Sequence, residues 1–173
     1  MAEFLNPEKI LRRVKLKEKM VAADFGCGAG SWTIPLAKIL KKGKVFAIDL
    51  LDEPLSALIR KKRNEGLSNI EIRKADVEEG TPLLPESCDL VLMTNLLFEC
   101  EEKKKVLEEG KRVLKKGGKI LVVDWAKDNP LTKEIEWLSS EEVKKMAEEV
   151  GLKLEDEFPA GVYHWGLLFS KPD

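Results

Sequence analysis

The 173-residue sequence predicts an α/β fold, a mostly parallel β-sheet with helices on both faces. Three observations carry that reading. Short apolar runs alternate along the chain with helical patterns of about ten residues, the arrangement of repeated βαβ units. Runs such as Leu90-Val91-Leu92 are continuously apolar, as strands buried on both faces are. A glycine cluster, Gly26-Cys27-Gly28-Ala29-Gly30, separates the first run from the first major helix, the place where open α/β sheets bind ligands.

The elements follow in order. Asn6-Pro7 reads as an N-cap with Pro at the first helical position, and Leu5 can staple onto Ile10; a short helix runs through Arg13. Met20–Phe25 is the first buried strand. Ser31 is suited to cap the next helix, in which Trp32, Leu36, Ile39 and Leu40 share a face and which Gly43 stops. Lys44–Ile48 is the second strand, and Leu55, Leu58 and Ile59 mark a helix ending near Gly66. Ile70–Ala75 alternates with period two, and Asp89–Met93 is a continuous apolar strand. A charged helix then buries Val106, Leu107, Val113 and Leu114; Gly117-Gly118 breaks it before the strand Lys119–Val123. Ser139-x-x-Glu142 is a capping box ahead of Val143, Met146, Ala147 and Val150, with Gly151 at the stop. Leu152–Phe158 and Val162–Ser170 are two strands with no helix between them, hence an antiparallel hairpin. No internal repeat or linker interrupts the pattern, so residues 1–173 read as one domain, with 1–19 a helical N-terminal extension.

Composition narrows the function. Thirty Lys+Arg balance 31 Asp+Glu, which excludes a strongly basic protein that wraps nucleic acid. No apolar run nears the ~18 residues of a membrane span, and the start lacks a basic n-region and an apolar h-region, so the expected location is the cytoplasm. Cys27, Cys88 and Cys100 form no CxxC pair, and the only His, His164, is far from each of them in sequence; no metal site is expected. Glutamine is absent and 35% of residues are charged, a thermophile-like bias.

The glycine cluster carries the chemistry. Its spacing is G-x-G-x-G with Asp24 two residues ahead, whereas the dinucleotide pattern G-x-G-x-x-G would need glycine where Ser31 stands, and no Gly-Lys-Ser/Thr follows as in a P-loop. Further motifs stand in order: Val-Phe-Ala-Ile-Asp ending the second strand, Lys-Ala-Asp-Val, Ser-Cys-Asp-Leu-Val-Leu-Met, and Arg-Val-Leu-Lys-Lys-Gly-Gly-Lys-Ile-Leu-Val-Val-Asp-Trp. With these, the sequence from about Met20 to Lys171 resembles the class I S-adenosylmethionine (SAM)-dependent methyltransferases, most closely the branch with the ubiquinone/menaquinone-biosynthesis enzymes. The resemblance implies a Rossmann-like seven-stranded sheet in the order 3-2-1-4-5-7-6, the seventh strand antiparallel, and SAM as cofactor.

It also implies residue roles. Gly26, Cys27, Gly28 and Gly30 would form the cofactor turn. Asp49, 19 residues after Gly30, would accept from ribose hydroxyls, with Leu50 beside it; the alternative role of helix cap is better filled by Asp52. Asp76 would bind the adenine amino group and Val77 offer its N–H; the alternative is a solvated loop acid. Asp24 would orient the turn and face the methionine end. Asn95 falls beside the expected methyl-transfer position. Its context, Asn-Leu-Leu-Phe, departs from the Asn/Asp-Pro-Pro-Tyr/Phe motif of enzymes that methylate adenine or glutamine amino groups. Leu97-Phe98-Glu99-Cys100 lacks the His that relatives in this branch often carry there, so no His-based role is expected in that segment.

Candidate catalytic groups are Asn95, Glu99, Tyr163 and His164, each with a plain structural alternative. Trp125 and Tyr163 can wall an apolar acceptor pocket, while Trp137 reads as core. The expected function is methyl transfer to a small apolar or aromatic acceptor, in a site bounded by Asn95–Cys100, Asp124-Trp125 and Tyr163–Trp165. The stretch Ala126–Ser139 is suited to act as a lid, and the short chain suggests an open acceptor site or one completed by a partner or second subunit, such as a homodimer. The rival reading is a non-catalytic SAM-binding module that regulates a partner; an NAD-dependent oxidoreductase is disfavoured by the glycine spacing.

Overall fold

The computed structural model describes residues 3–127, 130 and 134–173. Seven strands form one sheet: β1 (Val21–Phe25), β2 (Lys44–Asp49), β3 (Ile70–Lys74), β4 (Cys88–Thr94), β5 (Leu114–Trp125), β6 (Lys153–Pro159) and β7 (His164–Ser170). Their order is β3-β2-β1-β4-β5-β7-β6; β5–β7 and β6–β7 pair antiparallel and the other pairs are parallel. The sheet order and the antiparallel seventh strand agree with those the resemblance implies.

The helices are α1 (Pro7–Leu11), α2 (Thr33–Ile39), α3 (Asp52–Asn64), α4 (Lys103–Val113) and α5 (Ser140–Val150). Strand alternation sorts the apolar side chains into two layers. Ile10, Leu36, Leu40, Leu55 and Leu58, from α1 to α3, pack on one face with Leu92, Val123 and Leu168. Val106, Leu107, Val143 and Ala147, from α4 and α5, pack on the other with Phe25, Met93 and Val122. Each fully buried side chain of this size stabilises by roughly 1.5–3 kcal/mol, so both layers are required to hold the sheet. Among the described residues, no helix is long and apolar enough to cross a membrane.

Local chemistry sets most boundaries. Asn6 Oδ1 accepts from Lys9 N–H at 3.1 Å, and the Ser139–Glu142 capping box and left-handed Gly151 frame α5. Ser31 does not cap α2: Trp32 takes the N-cap position without a side-chain bond, because the turn before it is closed by backbone, Gly30 N–H to Cys27 O at 3.0 Å. Gly43 stops no helix either. A Cβ there would collide with the Met20 carbonyl, so it permits the close approach of two backbones before β2. Leu114 belongs to β5, not to α4, and Gly117 lies within that strand, donating its N–H to Lys171 O at 2.9 Å.

The chain winds from β1 outward to β3, then crosses back to β4 beside β1. That reversal opens a crevice at the carboxyl ends of β1 and β4, and the candidate residues follow those ends.

Candidate functional site

The turn after β1 is held from below by backbone bonds and from the side by one carboxylate. Cys27 N–H donates to Ile48 O at 2.9 Å, tying the turn to β2. Asp49 ends β2; its Oδ2 accepts from Gly28 N–H at 2.8 Å and its Oδ1 from Leu51 N–H at 3.0 Å. Asp49 therefore fastens both the glycine turn and the entry to α3. Asp52, which the sequence offered as the cap, is the first residue of α3 and pairs with Lys74 instead. Gly28 has φ +53, and a Cβ there would meet nothing within 4 Å, so open space lies in front of it.

Behind the turn lies Asp24, 1% exposed. Thr33, in the first turn of α2, donates its hydroxyl to Oδ2 at 2.6 Å, whereas Oδ1 is buried and has no partner among the described residues. Burial pushes its carboxyl up to about 7; the Thr33 hydrogen bond works against that and the Asp49 charge adds to it. A buried acceptor without a donor is costly, and it marks where a donor or cation would be stabilised. The sequence reading missed Thr33, although a Thr in the first helical turn after a buried Asp is a usable signal.

Beside the turn a cleft of about 300 Å³ runs across the ends of β2, β3 and β4. Gly26, Asp49, Leu50, Asp76 and Val77 line it together with Leu96, Glu99 and Cys100. Asp76 Oδ1 accepts from Glu78 N–H at 2.9 Å, which orders the loop after β3. Asp49, Asp76, Glu78 and Glu99 all line the cleft, and no Lys or Arg does among the described residues. Partial burial raises the Glu99 pKa, and the Asp49 charge raises it further. Burial likewise drives up the thiols of Cys27 and Cys100, the latter to about 12, so neither is a thiolate nucleophile at neutral pH. No group of three His, Cys, Asp or Glu among the described residues is arranged to hold a metal.

The segments expected to bound the acceptor divide between the two faces of the sheet. Antiparallel register places Trp125 opposite His164 and Asp124 opposite Trp165. On the α1–α3 side, Asn95 Oδ1 lies 2.9 Å from His164 Nε2, and the His164 and Trp125 rings stack with centroids 4.1 Å apart. Burial lowers the His164 pKa to about 4. On the α4–α5 side, buried Asp124 accepts from Trp125 N–H at 2.8 Å and Phe98 N–H at 3.1 Å. Burial pushes its carboxyl up to about 6 against those two bonds.

Asn95 and His164 are thus brought together, while the other two candidates stand apart from them. Glu99 belongs to the acidic cleft, and Tyr163 faces Phe4 with ring centroids 6.2 Å apart. Trp137 is half-buried and, with Phe98, Leu138 and Met146, lines a separate cavity of about 400 Å³. The lid expected at Ala126–Ser139 lies in part outside the described residues.

A family model described as "Methyltransferase domain" matches residues 23–122, more than half of the chain, from within β1 into β5. A SAM-dependent methyltransferase from Aquifex aeolicus superposes with a TM-score of 0.85 at 33% identity, covering 95% of this chain and 89% of that one. Among curated proteins, demethylmenaquinone methyltransferases of Bacillus subtilis (31% identical over 118 residues) and Lactobacillus johnsonii (29% over 129) match 68% and 73% of this chain. The chain spans about half the length of those two relatives, 50% and 52%. With the sheet order, the glycine turn and these matches together, the chain belongs to the class I methyltransferases, the family whose cofactor is S-adenosylmethionine.

Proposed function

We propose that this chain transfers a methyl group from SAM to a small apolar or aromatic acceptor. The observation that carries the reading is Asp24 Oδ1, buried and without a partner among the described residues, at the strand end that leads into a glycine turn with open space at Gly28. The residues present fit the cofactor's chemistry. SAM has a sulfonium, an ammonium and one carboxylate, a net positive charge, and among the described residues the cleft is lined by four carboxylates and no cation. A dinucleotide would instead bring a negative pyrophosphate into that field, which disfavours it.

In this reading the turn at Gly26–Gly30 gives the methionine end room, and Asp24 faces its cationic groups. Asp49, whose oxygens each accept one N–H already, has lone pairs left for ribose hydroxyls. Asp76 and the Val77 N–H serve adenine, with Leu50 and Leu96 as apolar walls. Bound SAM supplies an electrophilic methyl group. What the chain contributes is placement: holding the acceptor atom in line at the end of β4, near Asn95, supplies much of the rate of a displacement. Calorimetry with SAM and S-adenosylhomocysteine tests binding, and label transfer from methyl-labelled SAM to a panel of small phenols, amines and thiols tests transfer. Binding of NADH without any response to SAM would refute the proposal.

A further inference from the structure

Three strand ends meet at a pair of side chains to which the SAM cleft gives no role. Asn95 follows β4, Trp125 ends β5 and His164 begins β7. Register and strand alternation send the Trp125 and His164 side chains from the same face of the sheet, where their rings stack at 33°. Asn95 has φ +48, a conformation few non-glycine residues adopt, and its Oδ1 sits 2.9 Å from His164 Nε2. An amide oxygen only accepts, so Nε2 carries the proton and Nδ1 keeps the lone pair. The left-handed turn, which Asn adopts more readily than other side-chain-bearing residues, thus places the amide that fixes one tautomer of the ring. Leu96, the next residue, packs against Gly26 in the wall of the cleft, so the pair stands beside the proposed methyl-donor site.

We propose that Asn95 and His164 form a dyad that handles the acceptor's proton: His164 Nδ1 receives it, and Asn95 and Trp125 are positioning residues. The inference rests on the methyl-transfer reading. The acceptor's X–H bond breaks, its proton goes to Nδ1, and the bonding pair stays on X; the proton then leaves to solvent. A ring kept neutral by burial is a weak base, and a weak base suffices here, since an O–H, N–H or S–H proton becomes strongly acidic as its atom bonds to carbon. The surrounding titratable groups are engaged elsewhere. Asp124 of β5 faces the opposite side and binds two amides, Glu99 lines the cleft, and Tyr163 packs on Phe4. The site therefore selects acceptors that carry a proton on the atom to be methylated.

His164 is the only His of the chain, so its ring nitrogens can be read by ¹⁵N NMR of the whole protein without assignment. At pH 7 the dyad requires a protonated Nε2 and a bare Nδ1, with a midpoint well below 6.5. Asn95→Leu should mix the two tautomers, and Asn95→Asp should raise the midpoint. With the best acceptor of the panel above, His164→Gln should lower kcat about 100-fold or more while SAM affinity stays within about twofold. An Nδ1–H tautomer in the wild type or an unchanged kcat in His164→Gln would each overturn the dyad. Failure of the methyl-transfer reading shows differently, as a wild type that gives no heat with SAM or that binds SAM and methylates no acceptor.

Discussion

Asp24→Asn should make the protein more stable than the wild type, and increasingly so as the pH rises. Asp24 is 1% exposed, with one oxygen on Thr33 and the other without a partner among the described residues. Its carboxyl titrates at about 7 when folded, against 3.8 as an ordinary aspartate. Between those values the folded state holds a proton that the unfolded chain has released, so stability falls with rising pH and levels off above about 7. Roughly three pH units at 1.36 kcal/mol each set an upper limit of about 4 kcal/mol. Asparagine keeps an oxygen for the Thr33 hydroxyl and has no charge to bury. Urea unfolding at pH 4.5, 6 and 8 should show the stability gap between variant and wild type widening by about 2–4 kcal/mol. Other titrating groups, Asp124 among them, are present in both proteins and drop out of the difference. Parallel pH profiles would refute the assignment of this loss to Asp24. The same carboxyl should ionise when a cation arrives in front of it, so SAM binding at pH 6 should release up to one proton, readable by calorimetry in two buffers.

The other expectations are simpler. Asp49→Ala removes the acceptor of two N–H groups and of the proposed ribose hydroxyls, and should weaken SAM binding by about 1.5–3 kcal/mol; an unchanged Kd would exclude Asp49 from the site. Gly30→Ala puts a side chain at φ +93 against Leu58 and should destabilise by about 1–3 kcal/mol in denaturant titration. Trp125→Ala, which removes the ring stacked on His164, should lower turnover and leave SAM affinity within about twofold.

The strands and most helix ends were legible because local chemistry decides them. Asn6, Ser139 with Glu142, and Gly151 do in the structure what their residue types favour. Leu114 was misplaced because Val113-Leu114 continues an apolar helical face directly into a strand, and periodicity cannot divide such a run. Ser31 failed as a cap because the backbone bond from Gly30 to Cys27 had already closed that turn. In the site, the glycine turn and Asp49 stand close in sequence and their spacing has a meaning. The Asn95–His164 contact spans 69 residues, and Thr33 beneath Asp24 depends on how α2 docks; neither has a sequence period to reveal it. The split of the acceptor segments between two faces follows only from the register of β5 on β7.

The central claim is that the space before Gly28 and the cleft beside it hold SAM. Calorimetric titration of the wild type and of Gly28→Val with S-adenosylhomocysteine tests it most directly. Valine there would enter the open space and resist φ +53, without meeting a neighbour within 4 Å that packing needs, so the fold should survive. The wild type should bind on the micromolar scale, roughly −8 kcal/mol, and the folded variant should give no measurable heat. Equal binding by both proteins would contradict the account.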